Sequence, residues 1–100
     1  MARPERLTTD QIDTALSGLD GWSLVDDKLH RELRFPDFAS AFGFMAAAAT
    51  VAEKLDHHPE WSNVYSKVDV DLTTHDAGGI TELDVRLATR MSELAVAADD

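Results

Sequence analysis

The sequence predicts an α+β fold in two layers: a four-stranded antiparallel sheet with three helices packed on one face, in the order α-β-β-α-β-β-α. Three observations carry that expectation. The segments from Lys28 and from Lys67 alternate apolar and polar residues with the two-residue period of a half-buried strand. The segments from Phe38 and from Leu83 instead repeat apolar residues at three and four, as amphipathic helices do. The two periods also take turns along the chain, which is the signature of helices laid on one side of a sheet.

The first element is a short helix over roughly 9–17. Thr8, with Gln11 three residues on, forms a capping box, and Leu7 and Ile12 stand where a hydrophobic staple would close it. Ile12, Ala15 and Leu16 share a face, and Gly18 supplies a stop. Residues 22–25 then read as a strand, Asp26-Asp27 as a turn, and 28–35 as the second strand of a hairpin. Leu29, Leu33 and Phe35 lie on one side of that strand, with His30, Glu32 and Arg34 on the other. Arg31 interrupts the apolar side, which predicts a strand near an edge, where a charge reaches water.

Pro36-Asp37 opens the longest helix, with Asp37 as its N-cap. Phe38, Phe42, Met45, Ala49 and Ala52 make one apolar stripe; Phe44, Ala48, Val51 and Leu55 make a second beside it. So wide an apolar face predicts a helix central to the core, running to about Leu55 and ending before Pro59. Residues 61–65 and 67–73 read as strands, the second with Val68, Val70 and Leu72 inside and Lys67, Asp69 and Asp71 in water. The loop Asp76-Ala77-Gly78-Gly79 follows. Thr81 caps the last helix with Asp84 at N3, Ile80 and Val85 are placed as a staple, and Leu83, Leu87, Met91 and Leu94 form the buried stripe. An exposed edge strand on such a sheet invites pairing with a second copy.

Composition narrows the function classes. One hundred residues make one domain, 1–100, with no repeat or linker inside it. The apolar share of 44% is too high for a disordered chain. Nine Lys+Arg against nineteen Asp+Glu give a formal charge of -10, which argues against nucleic acid and against an anionic membrane surface. With no cysteine there is no disulfide scaffold, thiolate zinc site or cysteine nucleophile. The opening MARPERLTTD lacks the apolar core of a signal peptide. The longest apolar run, Phe42 to Ala49, is short for a bilayer span. The expectation is a soluble, cytoplasmic, acidic domain in which only the first few residues and the 97–100 tail are dispensable.

Three of the four histidines fall between positions 57 and 75. His57-His58-Pro59 closes the long helix and Thr74-His75 closes the last strand, with Trp61 near the first group and Asp84 opening the last helix. Brought together, these would line one cleft with imidazoles. An imidazole, titrating near 6.5, moves protons both ways around neutrality, and a positioned acid or base is worth roughly 10²–10⁴ in rate. An indole offers a stacking surface for a planar heterocycle.

Plainer readings stand beside this one. A His-His pair can complement a helix C-terminus, Trp61 can be core, and Asp84 is fully explained as a capping acid. Glu53 and Asp56 are either solvated helix residues or partners that fix an imidazole tautomer. His30 looks incidental and Asp69 and Asp71 belong to a wet face. Adjacent histidines point apart and no HExxH pattern occurs, which disfavours a metal. The residues alone reach a histidine-lined cleft for proton transfer on a small planar substrate.

The same residues resemble the pterin-4a-carbinolamine dehydratases. The pattern is Glu53, three residues, His57-His58-Pro59, Trp61, Asn63-Val64-Tyr65, Thr74-His75, Gly78-Gly79-Ile80-Thr81 and Asp84, with Gly21-Trp22, Phe35 and Phe44-Met45 upstream. It covers roughly residues 20 to 90 with no departure at the motif positions. The resemblance implies a fold with the element order read above. It implies dehydration of 4a-hydroxytetrahydrobiopterin to quinonoid dihydrobiopterin and water, recycling the pterin used by an aromatic amino acid hydroxylase, with no metal or organic cofactor and a homodimer or homotetramer. By carry-over His57, His58, His75 and Asp84 are catalytic, with His57 and His75 as the acid/base pair and His58 orienting the pterin. Asp56, Thr73, Thr74 and Asp76 would lie at its polar edge, Trp61 would be a pocket wall, and Glu53 and Asp84 would hold the histidines. The resemblance also implies a rival. Some relatives are binding proteins, either dimerisation cofactors of a homeodomain transcription factor or assembly factors for the carbon-fixing enzyme.

Overall fold

A computed structural model describes residues 4–96 and 98. The chain folds as α1 (Thr9–Ser17), β1 (Ser23–Val25), β2 (Lys28–Arg34), α2 (Phe38–Leu55), β3 (Glu60–Val64), β4 (Lys67–Leu72), a 3-10 turn at His75–Ala77, and α3 (Glu82–Leu94). This is the expected α+β architecture of three helices and a four-stranded antiparallel sheet. Of the segments read as dispensable, the first three residues and Ala97, Asp99 and Asp100 lie outside the described residues, while Ala98 packs against the core.

The helix ends obey local chemistry. Thr8 and Gln11 form their reciprocal capping box, and so do Thr81 and Asp84. Asp37 accepts from the Ser40 amide at 2.7 Å. That bond holds the Asp37 carboxyl below the usual carboxylate range, since it favours the charged form.

Sheet order is β1-β2-β4-β3, all pairs antiparallel. Strand β2 is second from the edge, between β1 and β4, as a strand near an edge would be; what is corrected is the expectation that Arg31 reaches water there. Arg31 is buried with its row partners Leu29 and Leu33, and its guanidinium donates to Ser92 Oγ at 3.2 Å. Trp22 Nε1 donates to the same hydroxyl at 2.9 Å, from just ahead of β1 rather than within it. Ser92 of α3 thus supplies a polar partner to both side chains, and among the described residues no buried side-chain nitrogen or oxygen is left unpaired.

Leu29, Leu33, Val68, Val70 and Leu72 face the helices and are essentially fully buried, with Leu87 and Met91 of α3 in the same core. On α2 the buried row is Ala41, Phe44, Ala48 and Ala52. Three alanines in it let the helix lie close to the sheet. The first of the two predicted stripes is accordingly corrected: Phe38 and Phe42 are each 56% exposed and Ala49 is exposed too. Only one side of so wide an apolar face has a layer beneath it. Among the described residues α2 is also the one helix long and apolar enough, by length and composition, to cross a membrane, longer than the apolar run read from the sequence. A core helix meets the same measure.

Both hairpins close in two residues. Asp26 and Asp27 link β1 to β2 with φ of 50° and 62°, the double positive-φ geometry for which a hairpin prefers Asn-Gly or Asp-Gly. In the β3–β4 link, Tyr65 takes φ 54°. The Asn63 side chain donates to the carbonyls of Tyr65 and Lys67 at 3.0 and 2.9 Å, which binds that turn to its strands.

An L residue in left-handed geometry is strained by roughly 1 kcal/mol. Asp27→Gly is therefore expected to stabilise the fold by about 1 kcal/mol, read as a higher midpoint in thermal or urea denaturation. An unchanged or lower midpoint contradicts the turn geometry.

Candidate functional site

The site forms where α2, β4 and α3 meet. Helix α2 stops at Leu55 because Asp56 turns left-handed (φ 51°), its amide reaching back to the carbonyls of Ala52 and Glu53. Pro59 bars any further turn. The reversal separates the two adjacent histidines. His57 goes inward, 7% exposed, its amide bonded to the Ala52 carbonyl. His58 goes outward, 59% exposed, its Nε2 3.0 Å from Glu53 Oε1.

At the other end, β4 finishes at Leu72 and Thr74 pairs with Gly79 across a small loop. His75 therefore sits on the 3-10 turn beyond the strand it was read as closing, and its side chain is 76% exposed. Gly78 (φ 74°) takes a left-handed conformation that a side chain would strain. At Gly79 a Cβ would come within 2.7 Å of Arg6 Cδ. Arg6 lies across the loop and donates to the Gly78 carbonyl at 3.2 Å, while the Leu7 amide donates to the Ile80 carbonyl at 2.8 Å. The residues ahead of α1 thus clamp the loop that carries His75.

Asp84 ties these parts together. Its carboxylate is fully buried and accepts from Thr81 N at 2.9 Å, Thr74 Oγ1 at 2.8 Å and His57 Nε2 at 2.5 Å. An ionised carboxylate only accepts, so the proton directions follow. Thr74 gives its one hydroxyl proton to Asp84. Thr81, 2.8 Å away, then donates to Thr74 and accepts from the Leu83 amide. Against an ionised Asp84, His57 carries its proton on Nε2.

The other imidazoles repeat the arrangement. His75 Nε2 lies 3.0 Å from Glu60 Oε2, and Glu60 Oε1 lies 2.5 Å from Lys28 Nζ. Even His30, on the wet sheet face, has Asp71 at 2.9 Å from Nδ1. Each histidine thus has its own carboxylate rather than sharing a centre. Among the described residues no group of three or more His, Cys, Asp or Glu side chains is placed to hold one metal ion. Lys28 and then His75 hold the Glu60 carboxyl below the usual glutamate range, and Glu60 in turn raises Lys28.

A cavity of about 250 Å³ opens here, lined by Asp56, His57 and His58 from the end of α2 and by Thr73, Thr74, His75 and Asp76 after β4. A second of about 250 Å³ shares Thr73 and His75 and extends toward Asp26, Asp27 and Lys28. Seven of the residues read from the sequence therefore converge, with Asp84 behind His57 and Glu53 beside His58. Trp61 is not among the residues lining either cavity; it stands opposite Val70 on the helix-facing side of the sheet, half-buried against the core. Glu60 is the residue the sequence reading missed. Its signal was the register: Glu60 opens β3 opposite Asp71, beside the end of β4.

Known proteins resemble this chain in sequence and in fold. The chain matches the family described as Pterin 4 alpha carbinolamine dehydratase over residues 5–94. Relatives named "Putative pterin-4-alpha-carbinolamine dehydratase" in Brucella ovis and Brucella canis are 54% identical over 97 residues, covering 95% of this chain and 99% of theirs. A crystal structure described as a transcriptional coactivator/pterin dehydratase from Brucella melitensis superposes with a TM-score of 0.89 at 53% identity, covering 91% of this chain and 99% of that one.

Thr81 both caps α3 and completes the Asp84 network, so Thr81→Ala is expected to cost about 2 kcal/mol, against about 1 for the exposed cap in Thr8→Ala; denaturant titration of the two variants checks the order. Glu60 gives a second expectation. A depressed acid contributes stability that is present above its unfolded pKa and lost as pH falls through its folded one. In a carboxyl-detected NMR titration Glu60 should titrate below the ordinary glutamate value, and Lys28→Met should move it upward. An unmoved midpoint contradicts the pairing.

Proposed function

Because the chain belongs to the pterin 4 alpha carbinolamine dehydratase family, we propose that it converts 4a-hydroxytetrahydrobiopterin to quinonoid dihydrobiopterin and water by histidine acid/base catalysis. The observation that carries the reading is the cavity at which His57, His58 and His75 meet, each with a carboxylate on its Nε2. That pairing fixes the tautomer, supports the imidazolium when it forms, and leaves Nδ1 to exchange the proton.

The chemistry needs two proton transfers. The C4a–O bond breaks and the hydroxyl leaves as water, taking a proton from an imidazolium. A neutral imidazole removes the N5 proton, and the N5 electron pair forms the C4a–N5 double bond. His57 and His75 are the pair assigned to these steps, His58 orients the pterin, and Asp56, Thr73, Thr74 and Asp76 meet its polar edge. Asp84, Glu53 and Glu60 are positioning residues. The reaction needs no cofactor beyond the substrate. The enzyme would be a cytoplasmic hydro-lyase acting beside an aromatic amino acid hydroxylase.

A second reading has its own support. The related crystal structure is described as a coactivator as well as a dehydratase, and the outer row of α2 exposes Phe38 and Phe42 with their ring centroids 5.8 Å apart. An exposed apolar row suits a protein partner or a homo-oligomer contact.

The deciding experiment is stopped-flow dehydration, with the 4a-carbinolamine generated in place by a pterin-dependent phenylalanine hydroxylase and its ultraviolet decay followed. Wild type should accelerate the decay. His75→Ala should lose about 10² or more of that acceleration while keeping its circular dichroism and melting point, since His75 is exposed. Full activity in His75→Ala overturns the assignment. Decay equal to buffer with wild type itself, together with a stable protein complex that His75→Ala does not weaken, establishes the partner reading instead.

A further inference from the structure

The largest cavity described lies away from the histidines. It has a volume of about 380 Å³ and sits between the last turns of α2 and the first half of α3, within the size range of small-molecule sites. Val51, Leu55 and Val85 give it an apolar floor; Lys54, Arg86 and Arg90 stand around it. The charge is what sets it apart. The chain carries nine Lys+Arg against nineteen Asp+Glu, and three of the nine cations surround this one cleft.

Local geometry does not account for that gathering. Arg86 and Arg90 are four apart on α3, on one face, where like charges repel. Arg90 is offset by Glu93. Among the described residues Lys54 and Arg86 have no carboxylate partner, while the neighbouring Glu53 is turned to His58. Two cations are thus left over an apolar floor, where an acid group would relieve their repulsion and gain charge-assisted hydrogen bonds.

The cleft also limits what can fill it. Residues 51–55 and 85–90 span only about 6 to 8 Å along their helices at 1.5 Å per residue. That length takes one compact body rather than several turns of a partner helix, and three cations are few for a nucleic acid. We propose that the α2–α3 cleft is a second ligand site, distinct from the histidine cavity, for a small organic anion: its apolar body rests on Val51, Leu55 and Val85, and its acid group is held by Arg86 and Lys54 with Arg90 at the rim.

The test uses the intact chain with 4-phenylbutyrate as probe and the uncharged 4-phenylbutyramide as control, followed by amide chemical shifts in NMR. Saturable shifts are expected around Val51, Leu55, Val85 and Thr89, weaker in high salt and absent with the amide. Lys54→Glu/Arg86→Glu should weaken binding about tenfold or more while leaving the melting curve and any dehydratase activity unchanged. The proposal is overturned by no saturable shift, by equal binding of the amide, by shifts confined to the His75 loop or the Phe38–Phe42 row, or by undiminished binding by the double variant. If the double variant instead changes the sedimentation mass, the cleft belongs to a second copy and the small-anion site is likewise overturned.

Discussion

A single buried carboxylate governs how this molecule is joined. Asp84 has no solvent exposure, and a charge in such a place is tolerable only if its oxygens are satisfied by donors. Those donors come from three parts of the chain: the helix cap at Thr81, the end of the β4 segment at Thr74, and the break after α2 at His57. Each bond that lowers the cost of burying Asp84 also fixes one border of the cavity. A capping box, ordinarily a device for starting a helix, here doubles as the joint between helix layer, sheet end and site.

The other carboxylates extend the same logic outward. The chain's large acid excess reads at first as a solvated surface, yet four of the acids are committed to the four imidazoles. The pairs differ in exposure: His57 with Asp84 lies inside, whereas His75 with Glu60 and His58 with Glu53 both open to water. Burial removes freedom of movement from the first and leaves it to the other two. One cavity therefore contains a fixed imidazole and two adjustable ones, an arrangement suited to a substrate that must enter, be held and leave.

What the sequence revealed was mostly local. Both capping boxes, the end of α2 before Pro59 and the alternation in β4 depend on neighbours within four residues, so residue identity was enough. What failed depended on distant partners. Arg31 was read as reaching water because nothing nearby in sequence announces Ser92. Phe38 and Phe42 joined a core stripe because periodicity shows which residues share a face, not whether a layer lies beneath it. Strand alternation sets Trp61 opposite Val70 on the helix-facing side of the sheet, and the same alternation brings Glu60, one residue earlier, to His75. The histidines themselves were legible because three of them border two breaks in regular structure, after α2 and after β4.

The clamp formed by Arg6 and Leu7 on the Gly78–Ile80 loop bears on how the protein comes off the ribosome. Its first described residues wait for partners made some seventy positions later, and Trp22 and Arg31 wait for Ser92. While the chain emerges at roughly 5–20 residues per second, the early hairpin and α2 can take local shape, but Trp22 and Arg31 do not yet have Ser92. The loop with His75 is held only once nearly all of the chain is out. A nascent fragment would therefore have histidines but no site, and competence would arrive late, in one step with the closing of the fold.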